Sequence, residues 1–541
     1  MDAQRPIETE SQASARPARA GPLKTILNLR HSLFSAENLT KKAYLNAIAT
    51  SLDYAARFLV GFVVNPMLVS GLGVYLYGVW QVLDKLRGSI SAASGRPTEA
   101  LKWAVAYRQT STDYEEKRRI LGSAVVVWFL FLPVLSALCL TLAWFAPVWL
   151  KAPPEYLWVV RLAAGVMMLD LIITSLVDVP ESVLRGENLG YKRMGLTTLI
   201  IFVQGGTIAG AVYLNYGIVG VAVALLANTL IAASLFLLIA RSYVPWFGIG
   251  RPSRQQVREF LGLSWWFVVW RVVMKLMMGS DVVVLGFLGS AQSVTTYSLT
   301  KYIPETLISL VAIVMGGITP GLGGVIGSGN LEKVTRVRNE FLAGTWLLAT
   351  AAGTTMLLWD RSFVRLWVGE QHYAGSLPVF LIMLSVVQFV LIRNDANIIN
   401  LTLNLRRMVL TGALSSTISI VLAGVLLRVF HLGISGLCLG MILGRLILSL
   451  GYPWMIGRLF GVPLASQLRS ALKPIVITLL LFVLVATLSG AFVVRTWLLL
   501  VPAVGSTLAG VSLLAFYAGL SSGQRERLWR RVRVVRGTQG R

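Results

Sequence analysis

The chain has 541 residues, 55% hydrophobic and only 13% charged, with a mean hydropathy of +0.70. Charge is at about half the share of a soluble domain, and the apolar residues come in blocks of the ~20 or more that a membrane crossing needs. An ordinary soluble enzyme is excluded. The formal net charge of +25 does not make this a nucleic-acid-binding protein, because the cations are distributed by loop rather than gathered in one patch.

Residues 1–42 are polar and basic, lack the apolar run of a signal peptide, and read as a disordered basic cytoplasmic arm. Fourteen apolar blocks follow, near 44–70, 74–95, 121–147, 156–184, 194–214, 217–240, 260–288, 292–318, 340–359, 377–403, 409–429, 432–456, 474–493 and 497–519. Lipid offers a backbone no hydrogen-bond partner, so each block is expected to be a helix. The fold class is therefore an all-α polytopic membrane protein of about fourteen transmembrane helices. Most of the 49 Lys and Arg fall on one side of this arrangement, while the turns on the other side hold Lys151, Arg361, Arg365, Arg428 and Arg495. By the positive-inside rule both termini are cytoplasmic. A basic cytoplasmic tail occupies 521–541. The longest outer connection, roughly 360–376, is too short for a catalytic domain, so no enzyme is expected, whether a glycan polymerase or a ligase. Cys139 and Cys438 lie inside apolar blocks and support neither a disulfide framework nor a metal site. No cofactor is expected.

The chain repeats internally. Asn215-Tyr216-Gly217-Ile218-Val219-Gly220 returns as His431-Leu432-Gly433-Ile434-Ser435-Gly436, Lys192-Arg193-Met194 as Arg406-Arg407-Met408, and Leu72-Gly73 as Leu288-Gly289, at offsets of about 215 residues. The unit is six helices, an even number, so both copies point the same way and a site is expected between them. This gives an N-terminal lobe over 43–245, a C-terminal lobe over 246–460, and two further helices over 461–520.

Six plus six parallel helices, a first helix ending near Asn65-Pro66, Leu72-Gly73, Tyr77-Gly78-Val79-Trp80, the Tyr213–Gly220 segment and the Trp367-Val368-Gly369 turn resemble the polysaccharide flippases of the multidrug/oligosaccharidyl-lipid/polysaccharide (MOP) superfamily. The resemblance implies alternating-access flipping of a polyprenyl-diphosphate-linked oligosaccharide across a bacterial inner membrane, for surface polysaccharide biosynthesis. It further implies membrane lipid, a coupling ion (H⁺ or Na⁺) and polysaccharide polymerase or chain-length proteins as partners of a monomer. The extra helix pair is similar to the lipid II flippase branch. A cation-coupled multidrug exporter of the same superfamily is the alternative.

Ionisable groups at bilayer depth cost about 2.5–3.5 kcal/mol each on insertion scales and so face a bundle interior by default. In the first block Asp53 and Arg57 share a face at i,i+4 and read either as a cleft group or as a self-neutralised pair. In the seventh, Arg271 and Lys275 are like charges one turn apart. They read either as contacts for an anionic diphosphate or as partners of acids on other helices, Asp84 or Glu305. Lys301, spaced i,i+4 from Glu305, and Arg57 join them as anion contacts in a central cavity. Asp53, Asp84, Asp178, Glu181, Glu305 and Asp395 are the cavity acids, with ion coupling or lining of the cytoplasmic mouth as their roles. Arg87 is expected to snorkel, and Arg445 has no evident partner.

Overall fold

The structure, a computed structural model, describes residues 39–94, 97–108, 111–187, 195–327, 331–401, 405–520, 522–523 and 525–526. The predicted arm ahead of residue 39 and nearly all of the basic tail lie outside the described residues.

The first helical stretch, α1 (Leu39–Ile90), is two helices joined across Gly73, whose φ of 75° and ψ of 166° break the helical path. A side chain would strain this left-handed φ. The halves, α1a and α1b, are the first two apolar blocks. There follow a short α2 (Pro97–Tyr107), α3 (Tyr114–Trp149), α4 (Leu157–Gly186), α5 (Leu196–Tyr213), α6 (Gly217–Tyr243), α7 (Arg254–Leu288) and α8 (Ala291–Gly327). The rest are α9 (Leu331–Trp367), α10 (Ser376–Leu401), α11 (Leu405–Arg428), α12 (Gly433–Phe460), α13 (Leu464–Leu488) and α14 (Trp497–Leu514). Among the described residues there is no strand, and 11 helical segments are long and apolar enough to cross a membrane. One of these, Ser51–Ile90, holds both α1a and α1b. α7 and α8, of 35 and 37 residues, occupy the seventh and eighth predicted blocks.

Local sequence sets where helices begin. Asp113 caps α3 by accepting from the Glu116 amide (2.9 Å). Ser253 and Gln256 form a reciprocal capping box at the start of α7. These starts, with the connections at 91–113 and 244–253, define one face of the bundle, here the basic face. The turns at 150–156, 214–216, 368–375 and 429–432 define the far face.

The repeat is visible in backbone angles. Asn215 and Gly217 have φ of 59° and 61°, and their counterparts His431 and Gly433 have 52° and 56°. Gly220 and Gly436, also equivalent, each let the turn fold onto the helix. An added Cβ would lie 2.3 Å from Tyr216 Cβ in one copy and 2.8 Å from Leu432 Cβ in the other. Helix pairings recur as well: α1 with α5, α3 with α4, α4 with α6 and α5 with α6 reappear as α7 with α11, α9 with α10, α10 with α12 and α11 with α12. The fold is two like-oriented six-helix lobes with an added pair. That pair docks on α9 through Thr350–Thr478 hydroxyls (2.6 Å) and Trp359 Nε1 donating to Thr507 Oγ1 (3.1 Å).

Candidate functional site: a charged cleft between two lobes

The lobes meet along α1, α3, α7 and α8. On the far side their backbones are in contact. A Cβ at Gly78 would stand 2.0 Å from the Ala291 carbonyl oxygen, so only glycine permits the approach. Beside it Thr295 Oγ1 donates to Val74 O (2.6 Å). An aromatic cluster continues the seam: Tyr302 stacks between Phe58 (5.7 Å) and Trp367 (4.7 Å), and Phe62 packs on Trp367 and Trp497 (both 5.9 Å).

Two hydrogen bonds latch this cluster across the lobes. Tyr302 Oη donates to Phe58 O (2.6 Å), and Trp367 Nε1 donates to Phe62 O (2.6 Å). The second has a cause in the sequence. Phe62 lies four residues before Pro66, which has no N–H, so the Phe62 carbonyl has no i+4 helical donor and accepts from the other lobe.

Toward the basic face the seam opens into a cleft of ≈360 Å³ lined by Asp84, Lys85, Arg87 and Gly88 of α1b, Thr174, Ser175 and Asp178 of α4, Lys275 and Gly279 of α7, and Glu305 of α8. Ser91, Ser94 and Thr98 line its end at the basic face. Two lysines from opposite lobes pass glycines of the facing lobe, closely at Gly88 and at ordinary contact distance at Gly279. A Cβ on Gly88 would stand 3.1 Å from Lys275 Nζ, and one on Gly279 would stand 3.8 Å from Lys85 Cδ.

Of the residues expected at the site, Asp84, Asp178, Lys275 and Glu305 come together here. Lys275 thus shares the cleft with both acids named as its alternative partners. The side chain of Arg271, on α7, lies outside the described residues. Lys301 sits against Asp281 (2.6 Å), with Glu305 at 3.6 Å. Asp281 also accepts from Tyr297 Oη (2.6 Å). No ion pair joins Asp53 to Arg57. Asp53 accepts from Thr198 Oγ1 of α5 (2.9 Å), and Arg57 is exposed on α1a. Glu181 pairs with Arg185 (2.7 Å) near the basic end of α4. Asp395 Oδ1 accepts from Arg338 Nε (3.0 Å) and Nη2 (2.8 Å), away from the cleft.

Two expectations are corrected. Arg87 does not snorkel: it turns inward onto the fully buried Asp170, which also accepts from Thr229 Oγ1 (2.5 Å). Arg445 is partnered, donating to Ser385 Oγ (2.8 Å) and Met277 O (2.7 Å). Helix spacing could not find either, because both partners lie on other helices. The Gly88 and Gly279 signal was present in the sequence as small residues one turn from a charge.

In the outer turn Glu370 accepts from Arg361 (2.6 Å) and faces Arg365 (3.6 Å). The Arg361 hydrogen bond holds its carboxyl below the usual glutamate range, and burial holds His372 below the usual imidazole range.

Solved structures share this architecture. An inward-facing multidrug resistance MATE family transporter of the MOP superfamily superposes with a TM-score of 0.62 at 16% identity, over 77% of this chain and 98% of that one. An outward-facing structure of such a transporter gives 0.55 at 16% identity, over 80% and 98%. A MOP superfamily transporter from Pyrococcus furiosus, described as having a binding pocket of reversed polarity that suggests a different function, gives 0.55 at 17%, over 77% and 95%. No curated protein matches the chain in sequence. The fold is that of a MOP-superfamily transporter, built as a multi-pass membrane protein. Within that class residues 118–374 match the family described as "Polysaccharide biosynthesis protein", which agrees with the resemblance read from helix order and turns.

Proposed function

We propose that the chain is a flippase that moves a polyprenyl-diphosphate-linked oligosaccharide between leaflets of a bacterial inner membrane by alternating access. The observation that carries this is the cleft. Lys85 and Lys275 enter it from opposite lobes over glycines, beside Arg87, so a diphosphate between the lobes would be met by cations from both. Asp84, Asp178, Glu305 and the Ser and Thr hydroxyls are the groups that hydrogen-bond sugar hydroxyls. A closed far seam and a cleft reaching the basic face correspond to a state ready to load from the cytoplasmic side, with both termini cytoplasmic. Relaxation of the aromatic latch then permits opening outward while the lipid tail stays in the bilayer. H⁺ or Na⁺ at the cleft acids is a source of bias for this cycle. The protein acts as a monomeric transporter, not an enzyme, and hands its cargo to polysaccharide polymerase and chain-length partner proteins.

The three acids favour a second reading, a cation-coupled exporter of cationic drugs. Reconstituted vesicles separate the two. A labelled lipid-linked oligosaccharide crosses and ethidium does not if the flippase reading is right; ethidium movement alone establishes the exporter.

A further inference from the structure

A second and larger cavity, of ≈800 Å³, lies away from the cleft, between α9, α10, α12 and α13. It forms where the added helix α13 departs from the six-helix lobe. Its walls are apolar, including Trp346, Leu384, Ile475 and Phe482. Its flanks are exposed leucines: Leu446 is 45% exposed and Leu450 49%. In a membrane-spanning bundle such surface faces lipid, so the cavity is a groove open to acyl chains.

The charged groups buried against it are already paired. Arg338 and Asp395 neutralise each other with side chains only 4% and 7% exposed, and Arg338 also donates to Gln467 Oε1 (3.0 Å). The mouth is different. Arg469 and Lys473 are exposed, one turn apart on α13, and both line the groove. Arg458 lies nearby at the end of α12, stacked over Trp454 (4.2 Å). Asp395 is the only acid lining the groove among the described residues, and Arg338 occupies it. The result is an apolar channel under a cationic rim at the basic end of the helices, complementary to a molecule with an anionic head and apolar chains. From Lys473 to Leu479 is six helical residues, about 9 Å along the helix at ~1.5 Å per residue.

We infer that this groove binds an anionic phospholipid of the surrounding leaflet, with its phosphodiester between Arg469 and Lys473 and an acyl chain against Leu479, which is exposed in the groove. The site is separate from the cleft and independent of what the cleft transports.

The test is native mass spectrometry of delipidated full-length protein titrated with phosphatidylglycerol, phosphatidylcholine or a polyprenyl diphosphate. One phosphatidylglycerol should bind with about tenfold preference over phosphatidylcholine. The preference should vanish in the Arg469→Gln/Lys473→Gln variant, whose changes are on the surface. Ala471→Trp, which fills the groove and leaves its charges, should abolish binding, while Lys275→Gln in the cleft should not alter it. Equal binding of the two phospholipids, a preference that survives the double variant, or binding unaffected by Ala471→Trp would each overturn the inference. So would displacement of the phospholipid by stoichiometric polyprenyl diphosphate, which would give the groove to the substrate's tail.

Discussion

Replacing Trp367 by phenylalanine removes one donor and little else from the far-side seam. The ring keeps its place against Phe62 and Tyr302, but Phe62 O loses the indole N–H that stands in for the amide Pro66 lacks. Phe62 is half-buried, so leaving its carbonyl without a donor costs about 1 kcal/mol, the low end for a desolvated group. That cost falls on the closed seam alone, because in the open state water reaches the carbonyl. The closed-to-open ratio should therefore drop by a factor of about five, taking 1.4 kcal/mol as tenfold. Spin labels at Tyr216→Cys and Leu432→Cys report this directly. These exposed, repeat-equivalent far-face positions avoid the strained left-handed residues beside them, and the native Cys139 and Cys438 are buried. Pulsed electron spin resonance on the Trp367→Phe background should show more of the longer far-face distance. An unchanged distance distribution would refute the latch.

Pro66→Ala should act in the same direction, since it restores an amide that competes with Trp367 for Phe62 O; the same labels read it. Asp395→Asn leaves Arg338 buried without its counter-charge and should destabilise the fold by about 3–5 kcal/mol, lowering the thermal midpoint in detergent, whereas a joint Arg338→Met/Asp395→Leu change should recover most of the loss. Gly88→Leu places a side chain where Lys275 Nζ lies and should reduce transport strongly with little change in thermal stability. The Arg361–Glu370 contact depresses the Glu370 pKa, so its contribution is present above the unfolded value. It is lost as pH falls through the lower folded value, and hydrogen exchange in 368–375 should rise only in acid below the usual glutamate range.

Helix number, the repeat and its like orientation were legible because each rests on local signals: block length, left-handed turn residues at Asn215 and His431, and parity. The site was legible only in part. Asp84, Asp178, Lys275 and Glu305 announce themselves as charges at bilayer depth, and they converge. Which charge meets which was not legible. Lys301 matches Glu305 by spacing yet lies closer to Asp281 on α7, and Asp53 goes to Thr198 rather than to Arg57, because contacts between helices outrank i,i+4 pairs. The Phe62 carbonyl, left without a helical donor by Pro66, and its Trp367 donor are 305 residues apart, beyond any periodic pattern. The groove beside α13 arises from how two helices diverge, which no single helix encodes.

The most direct measurement is the rate at which a fluorescent polyprenyl-diphosphate oligosaccharide becomes accessible in the opposite leaflet of proteoliposomes, compared between the native chain and a Lys85→Gln/Lys275→Gln variant of matched thermal stability. The account predicts protein-dependent movement that falls by an order of magnitude or more in the variant. Equal rates in the two proteins, or no movement above empty vesicles, would contradict it.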